Sequence, residues 1–215
     1  MTRPCYGVGL YSPAGFTTDP AAIARAVSRL EAAGHRVVVD ATVASRWQRF
    51  SAPDEERLAA IERMATDSRV DIAIATRGGY GWSRLLDAVD FAAVAASRKC
   101  WLGHSDFTAF QLAALAHQGM VSFSGPMAAY DFGAEAPSAF TFDHCWGLLA
   151  ADRYVVDCKL AGPGEFDVEG ILWGGNLAML SHLAGTRHFP AIEGGVLFLE
   201  DTGEHPYRKI GRAHV

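Results

Sequence analysis

The sequence predicts an α/β protein, in which a three-layer N-terminal domain with a parallel sheet is followed by the start of a smaller β-rich domain. Over the first 152 residues, short apolar runs alternate with amphipathic helical stretches, and the links between them are short. After Asp152, strand-like runs outnumber helical ones. We therefore expect a first domain over residues 1–152, a linker over 153–166 and an incomplete C-terminal domain over 167–215.

The composition is typical of a folded protein without a nucleic-acid or membrane partner. Of its 215 residues, 50% are hydrophobic and 20% charged, and a net charge of −5 offers no basic surface for nucleic acid. No apolar run approaches the length of a membrane span, and the N-terminus lacks a signal-peptide pattern. Since no C-x-x-C pair occurs, we expect a cytoplasmic protein without disulfides or a zinc site. The cysteines are Cys5, Cys100, Cys145 and Cys158.

Strands and helices alternate through the predicted first domain. Short apolar runs predict strands over residues 6–11, 36–39, 71–76, 100–102 and 121–124. Helical patterns cover residues 20–33, 53–66, 83–97, 107–118 and 138–151. The fourth helical stretch ends at Gly119, and the third should break near Asp90. The loops after strands three and four both lead from a strand into a helix, so they should lie on one rim of the sheet.

After Asp152, the sequence predicts mainly strands. We expect strands over residues 154–160, 168–173 and 195–200, the last of them buried. Gly174, Gly175 and Asn176 should form a tight loop before a short helix over residues 177–183.

A serine at the turn between the fourth strand and its helix is the candidate nucleophile. Ser105 lies between Gly103 and the helix, with no room for a long loop. Such a turn holds the hydroxyl over the sheet edge, beside free backbone N–H groups that can bind an oxyanion. The alternative is that Ser105 or Asp106 simply caps the helix, since the motif G-H-S-D-F lacks the second glycine of a G-x-S-x-G elbow.

A glycine-rich loop, R-G-G-Y-G, follows the third strand at residues 77–81. It fails as a dinucleotide fingerprint, because Arg84 stands where a third small residue is needed, and a Walker loop is absent. It is either a plain turn or an oxyanion loop, in which residues without Cβ let backbone N–H groups approach a carbonyl. The candidate oxyanion donors are the backbone N–H groups of Gly79 and Asp106.

The acidic end of the last strand supplies a candidate carboxylate. Glu200 could orient the histidine of a triad, or it could belong to a solvated strand end. His104 is not the expected base, because neighbouring side chains of an extended segment point to opposite faces. Metal ligation by His104, Asp106, His144 or His205 is disfavoured, since no spacing matches a known ligand set.

Five motifs occur in the order found in one family of peptidases. They are R-G-G-Y-G-W-S-R-L-L at 77–86, G-H-S-D-F-T at 103–108, S-G-P-M at 124–127, G-G-N-L at 174–177 and L-F-L-E-D-x-G-E-x-P-Y-R at 197–208. Spread over nearly the whole chain, they resemble the LD-carboxypeptidase family, the muramoyl-tetrapeptide carboxypeptidases with the related microcin-immunity peptidases.

The resemblance implies a Ser–His–Glu triad, with Ser105 as the nucleophile and Glu200 as the carboxylate partner of the histidine. The oxyanion hole would be the backbone of the glycine loop and of Asp106. The implied reaction removes the terminal D-alanine from an L,D-linked murein tetrapeptide in cytosolic peptidoglycan recycling, with no metal or organic cofactor. The implied fold joins an α/β domain to a β-rich C-terminal domain, usually in a homodimer.

The chain departs from the family pattern at its end. The family's catalytic histidine lies several dozen residues beyond the P-Y-R motif, whereas this sequence stops at Val215. Residues 210–215, I-G-R-A-H-V, match one reading frame of a common sequencing adapter, so we interpret them as non-native and His214 as no substitute base. The 215-residue product should then be inactive and prone to aggregate, because a base and strand partners are missing. The genomic sequence beyond the Arg208 codon tests this expectation.

Two other functions stay open on sequence alone. A microcin-immunity-type amidase would cleave a peptidyl-nucleotide, and aromatic side chains in the pocket would favour it. A non-catalytic binding module would keep the fold without the chemistry. A carboxypeptidase also needs a cation or free N–H groups for the terminal carboxylate of its substrate. Arg77 and Arg84 flank the right loop, and the sequence singles out neither.

Overall fold

The computed structural model describes residues 4–158, 162 and 167–207. Its main sheet contains β1 (Gly7–Tyr11), β2 (Arg36–Val39), β3 (Ile72–Ala75), β4 (Cys100–Gly103) and β5 (Phe123–Ser124). The strand order is β2-β1-β3-β4-β5, and every neighbouring pair is parallel. The predicted parallel sheet and its five strands are therefore confirmed.

Five α-helices accompany this sheet: α1 (Pro20–Ala32), α2 (Asp54–Thr66), α3 (Phe91–Ala96), α4 (Thr108–Gln118) and α5 (Ala139–Leu149). Shorter helical segments are the 3₁₀ helices Ala41–Val43, Trp82–Arg84 and Ser105–Phe107 and the π-helical turn Ala128–Phe132. The predicted break at Asp90 is confirmed, because its carboxylate accepts a hydrogen bond from Ala93 N at 2.9 Å and begins α3. Gly119 ends α4 at φ +60°, as its left-handed preference predicts. None of the described helices is long and apolar enough to cross a membrane.

The main sheet is the middle of three layers. Successive side chains of a strand point to opposite faces, so Ile72 and Ile74 join one buried cluster while Ala73 and Ala75 join the other. The first cluster includes side chains of α1 and α5, and the second includes side chains of α2, α3 and α4. Apolar burial on both faces is typical of a parallel α/β sheet.

The C-terminal part contains a two-stranded parallel sheet of β6 (Leu172–Asn176) and β7 (Val196–Glu200), connected through α6 (Leu177–Leu183). The helix and the last strand agree with the sequence, but the predicted tight loop at residues 174–176 is wrong. These residues continue β6 and pair with residues 198–200. Glycine is needed there for close packing, since a Cβ on Gly175 would lie 2.5 Å from Oγ1 of Thr108.

Three other predictions for this part differ from the structure. Residues 154–158 form no strand, and residues 159 and 160 lie outside the described residues. The strand expected from residue 168 begins only at Leu172. The last strand is not buried, because the side chains of residues 197–199 are about half exposed. The boundaries of the two domains stay a prediction.

Candidate active site

A cleft at the carboxyl ends of β3 and β4 brings three of the four predicted site residues together. Ser105, Gly79 and Glu200 all line this cleft, which has a volume of about 600 Å³. We call it the Ser105 pocket. The Asp106 side chain is 2% exposed and points into the core instead. The other lining residues are Arg77, Gly78, His104, Thr108, Ser124, Gly125, Met127, Tyr130, Gly175, Asn176, Phe198 and Thr202.

Ser105 has an unusual backbone conformation. Its φ is +60°, in the left-handed region that residues with a Cβ seldom adopt. Strain of this kind at a strand-to-helix turn is typical of a nucleophile elbow, which holds the hydroxyl above the sheet. The alternative capping role is wrong, because the cap positions are His104 and Phe107 and neither helix start has a side-chain cap.

The glycine loop packs directly against this serine. A Cβ on Gly78 would lie 3.0 Å from Cβ and 3.1 Å from Oγ of Ser105, and 3.5 Å from the backbone nitrogen of Asp106. A Cβ at this position would press on the serine, so the loop packs this closely because residue 78 has no side chain. Gly79, at φ +97°, lies in the same pocket, but a Cβ there would meet Arg77 and Gly15 rather than the serine. Sequence reasoning selected Gly79 and missed the closer contact of Gly78, although both belong to one motif.

Glu200 is held by two side chains. Its Oε2 accepts a hydrogen bond from Asn176 Nδ2 at 2.8 Å, and its Oε1 accepts one from the hydroxyl of Thr202. The Asn176 side chain also caps α6, and its backbone nitrogen donates to Oγ1 of Thr108 at 2.9 Å. The carboxylate is therefore oriented, unlike one at a merely solvated strand end. Sequence reasoning placed Asn176 only within the G-G-N-L motif and did not foresee this contact.

The histidine in the described lining of the pocket, His104, contacts an aspartate rather than Ser105 or Glu200. His104 Nε2 lies 3.2 Å from Oδ2 of Asp131, which also accepts a hydrogen bond from Met127 N at 2.7 Å. No histidine in the described ranges is hydrogen-bonded to Ser105 or Glu200. Within the same ranges, no three His, Cys, Asp or Glu side chains cluster closely enough to hold a metal ion. The catalytic histidine of the predicted triad stays a prediction.

The Asp106 carboxyl group fixes the glycine loop from its buried side. Its Oδ2 accepts a hydrogen bond from Trp82 N at 3.0 Å, while its Oδ1 has no hydrogen-bond partner. Burial raises the pKa of Asp106 to about 7, although the N–H groups of Trp82 and Gly81 and the charge of Arg57 oppose the shift. The backbone nitrogen of this residue thus lies against Gly78, while its side chain anchors the end of the loop.

Replacing Asp106 with asparagine should flatten the pH dependence of stability. Because the pKa of Asp106 is higher in the folded chain than its ordinary 3.8, the folded state retains a proton that the unfolded state releases. The free energy of unfolding should therefore fall as pH rises from about 4 to about 7, by on the order of 4 kcal/mol at most. Urea titrations of both proteins between pH 4 and 8 measure this.

The matched control for that experiment is Asp90→Asn, a substitution of the same type at an exposed helix cap. Asparagine caps helices about as well as aspartate, so this variant should keep the wild-type pH dependence. Equal slopes for Asp106→Asn and the unsubstituted protein would contradict the assignment.

Comparison with known proteins identifies the family of the chain. The family model of the LD-carboxypeptidase N-terminal domain matches residues 8–125, and that of the C-terminal domain matches residues 169–212. The crystal structure of muramoyltetrapeptide carboxypeptidase from Oxalobacter formigenes is 44% identical and superimposes with a TM-score of 0.89. That match covers 97% of this chain and 70% of the other.

Two curated relatives match over more limited shares of their length. The probable murein peptide carboxypeptidase of Bacillus subtilis is 30% identical over 206 residues, which cover 94% of this chain and 64% of the relative. The microcin C7 self-immunity protein MccF of Escherichia coli is 26% identical over 180 residues, 69% of this chain and 52% of MccF. This chain thus spans about half to two thirds of their lengths. With two family models matched in order and a 44% identical structure, the chain belongs to the LD-carboxypeptidase family.

Proposed function

We propose that this chain carries the nucleophile and the carboxylate of a serine carboxypeptidase, which releases the terminal D-alanine from L,D-linked murein tetrapeptides. The observation that carries the proposal is Ser105 itself, a strained serine packed against Gly78 in the pocket that also contains Glu200. The names of the relatives from Oxalobacter and Bacillus support the substrate class.

The reaction would proceed through an acyl-enzyme. Ser105 Oγ attacks the carbonyl carbon of the last peptide bond and gives its proton to a histidine base, whose imidazole Glu200 orients. The backbone N–H groups of Gly79 and Asp106 stabilise the oxyanion. The carbon–nitrogen bond then breaks, and D-alanine leaves with the proton that the histidine returns. Water hydrolyses the ester by the same steps, so this route needs neither a metal nor an organic cofactor.

Asn176 and Thr202 contribute by holding the Glu200 carboxylate. Their hydrogen bonds occupy both of its oxygens and restrict its rotation, which keeps it oriented toward one imidazole position. We place the reaction in the cytoplasm, in the recycling of peptidoglycan fragments, and expect a homodimer. The four cysteines are all free thiols, which fits a reducing compartment.

A fluorophosphonate probe tests this function directly. The protein expressed from its full open reading frame is treated with the probe, digested and mapped by mass spectrometry. We expect one adduct, on the peptide that contains Ser105, because only an activated serine reacts readily. The Ser105→Ala variant should remain unlabelled. An adduct on another serine, or none at all, would contradict the proposal.

A peptidyl-nucleotide amidase is the second candidate. Two aromatic side chains line the Ser105 pocket, Tyr130 at 54% exposure and Phe198 at 52%, and exposed rings of this kind can stack on a nucleobase. The sequence similarity to MccF supports this alternative. Parallel assays with a murein tetrapeptide and an aminoacyl-sulfamoyl nucleoside separate the two, since faster cleavage of the nucleoside conjugate would favour the amidase.

A further inference from the structure

Arg77 is the only permanent cation among the described residues that line the Ser105 pocket. The one permanent anion in the same lining is Glu200. A carboxypeptidase substrate presents its own carboxylate within one residue of the bond that is cut. This group would be repelled by Glu200 unless a cation lay nearby. The pocket therefore needs a positive group, and Arg77 is in place to supply it.

The guanidinium of Arg77 is fixed on one side and free on the other. Nη1 donates a hydrogen bond to the carbonyl oxygen of Phe16 at 2.8 Å, and the Tyr130 ring lies 5.5 Å from Cζ. Nε and Nη2 have no hydrogen-bond partner among the described residues, and Nε is buried. Nη2 therefore retains donors for a charge-assisted hydrogen bond to a carboxylate ligand.

The free Nη2 lies beside Gly79 of the glycine loop, in the lining of the Ser105 pocket. Nη2 lies 3.8 Å from the position that a Cβ on Gly79 would take. The corresponding position on Gly78 lies 3.1 Å from Oγ of Ser105. Gly78 and Gly79 are consecutive, so the loop that packs against the nucleophile also packs against the guanidinium. The guanidinium and the nucleophile thus line one pocket, in which the C-terminal residue of a bound peptide would lie.

Arg84, at the other end of the same motif, is already paired with a carboxylate of the protein. Its guanidinium forms an ion pair with Asp54, with Nη2 at 2.7 Å from Oδ2, and Asp54 also pairs with Arg57. Arg84 does not line the Ser105 pocket. Arg77, in contrast, has no carboxylate within ion-pair distance among the described residues. The structure therefore separates two arginines that the sequence leaves equivalent.

We propose that Arg77 binds the C-terminal carboxylate of the peptide substrate and so restricts the enzyme to peptides with a free carboxyl terminus. The inference rests on the proposed function and adds its specificity-determining residue. Because a charge-assisted pair forms in a partly enclosed pocket, the peptide with a free carboxylate should bind about 10- to 100-fold more tightly than its C-terminal carboxamide. The carboxamide keeps the shape of the ligand and removes only its charge.

Binding measurements without turnover test this role. Isothermal titration is carried out with murein tetrapeptide and its C-terminal carboxamide, using Ser105→Ala protein from the full open reading frame. One further variant also carries Arg77→Gln. Another carries Arg84→Gln instead, which removes a positive charge from the same motif. We expect a preference for the acid of at least about tenfold, abolished by Arg77→Gln, kept by Arg84→Gln and partly restored by Arg77→Lys.

A purely structural role for Arg77 would weaken the binding of both peptides equally, so the ratio of the two dissociation constants decides. The proposal is overturned if this ratio is unchanged by Arg77→Gln. It is also overturned if the Ser105→Ala protein that retains Arg77 binds the two peptides equally or binds neither measurably. The result is independent of the probe experiment on Ser105. A carboxylate preference that depends on Arg77, without labelling of Ser105, would retain this binding site and refute the serine mechanism.

Discussion

Replacement of Ser105 with alanine should lower kcat for D-alanine release from a murein tetrapeptide by about 10⁴- to 10⁶-fold. The alanine cannot form the acyl-enzyme, so only the oxyanion donors and substrate binding would still contribute to the rate. The free energy of unfolding should not fall, since alanine deletes one hydroxyl whose oxygen has no hydrogen bond to any of the described residues. Chromatographic measurement of released D-alanine, in the protein from the full open reading frame, gives kcat and KM separately.

Ser181→Ala is the matched control for this experiment. Ser181 lies in α6, where its hydroxyl donates to the carbonyl oxygen of Leu177 at 2.9 Å, and it does not line the Ser105 pocket. Its replacement should leave kcat within about twofold, because the deleted hydroxyl contacts neither the pocket lining nor the reacting groups. Residual activity of Ser105→Ala above a tenth of the unsubstituted rate would refute the nucleophile assignment.

Replacement of Arg57 with alanine should cost about 3–5 kcal/mol of unfolding free energy. Arg57 is fully buried and donates hydrogen bonds to the carbonyl oxygens of Pro13, Ala52 and Gly81, and it forms an ion pair with Asp54. Its loss leaves these acceptors without a partner in the core and opens a cavity. Urea denaturation followed by circular dichroism measures the change.

The control is Arg69→Ala, which removes an arginine of the exposed ion pair with Asp67. The Arg69 side chain is 71% exposed, so its replacement should cost less than about 1 kcal/mol. A similar loss from both substitutions would contradict the buried role of Arg57. Because Arg57 binds Gly81 O, the destabilised protein should also show weaker fluorophosphonate labelling at Ser105.

The main sheet and its helices could be predicted because local signals determine them. Apolar runs marked the strands, and Asp90 and Gly119 marked helix ends within a residue of those observed. The C-terminal sheet could not be read in the same way. Glycines at residues 174 and 175 resembled a turn, but Gly175 is required by the close approach of Thr108, about seventy positions earlier in the chain, and Gly174 by that of the Phe198 carbonyl. No local pattern encodes such a contact.

Some residues of the candidate site could likewise be predicted from the sequence, and others could not. Ser105 and Gly79 could be placed together because loops at the carboxyl ends of parallel strands meet at one edge, whereas Glu200 joined them only because the motifs resembled one family. The partners that orient them could not be predicted. Asn176 at Glu200, and Arg57 and the Asp106 side chain behind the glycine loop, depend on tertiary packing that leaves no periodic signal.

The link between Asn176, Thr108 and Glu200 has a mechanical consequence. One residue joins the end of β6 both to the first turn of α4, just after Ser105, and to the proposed catalytic carboxylate. Slippage of β7 along β6 by a single position would displace the carboxylate by about 3.3 Å and turn it to the opposite side of the ribbon. The relative position of Ser105 and Glu200 thus depends on how β7 is aligned along β6. Mutations far from either residue could disturb that alignment.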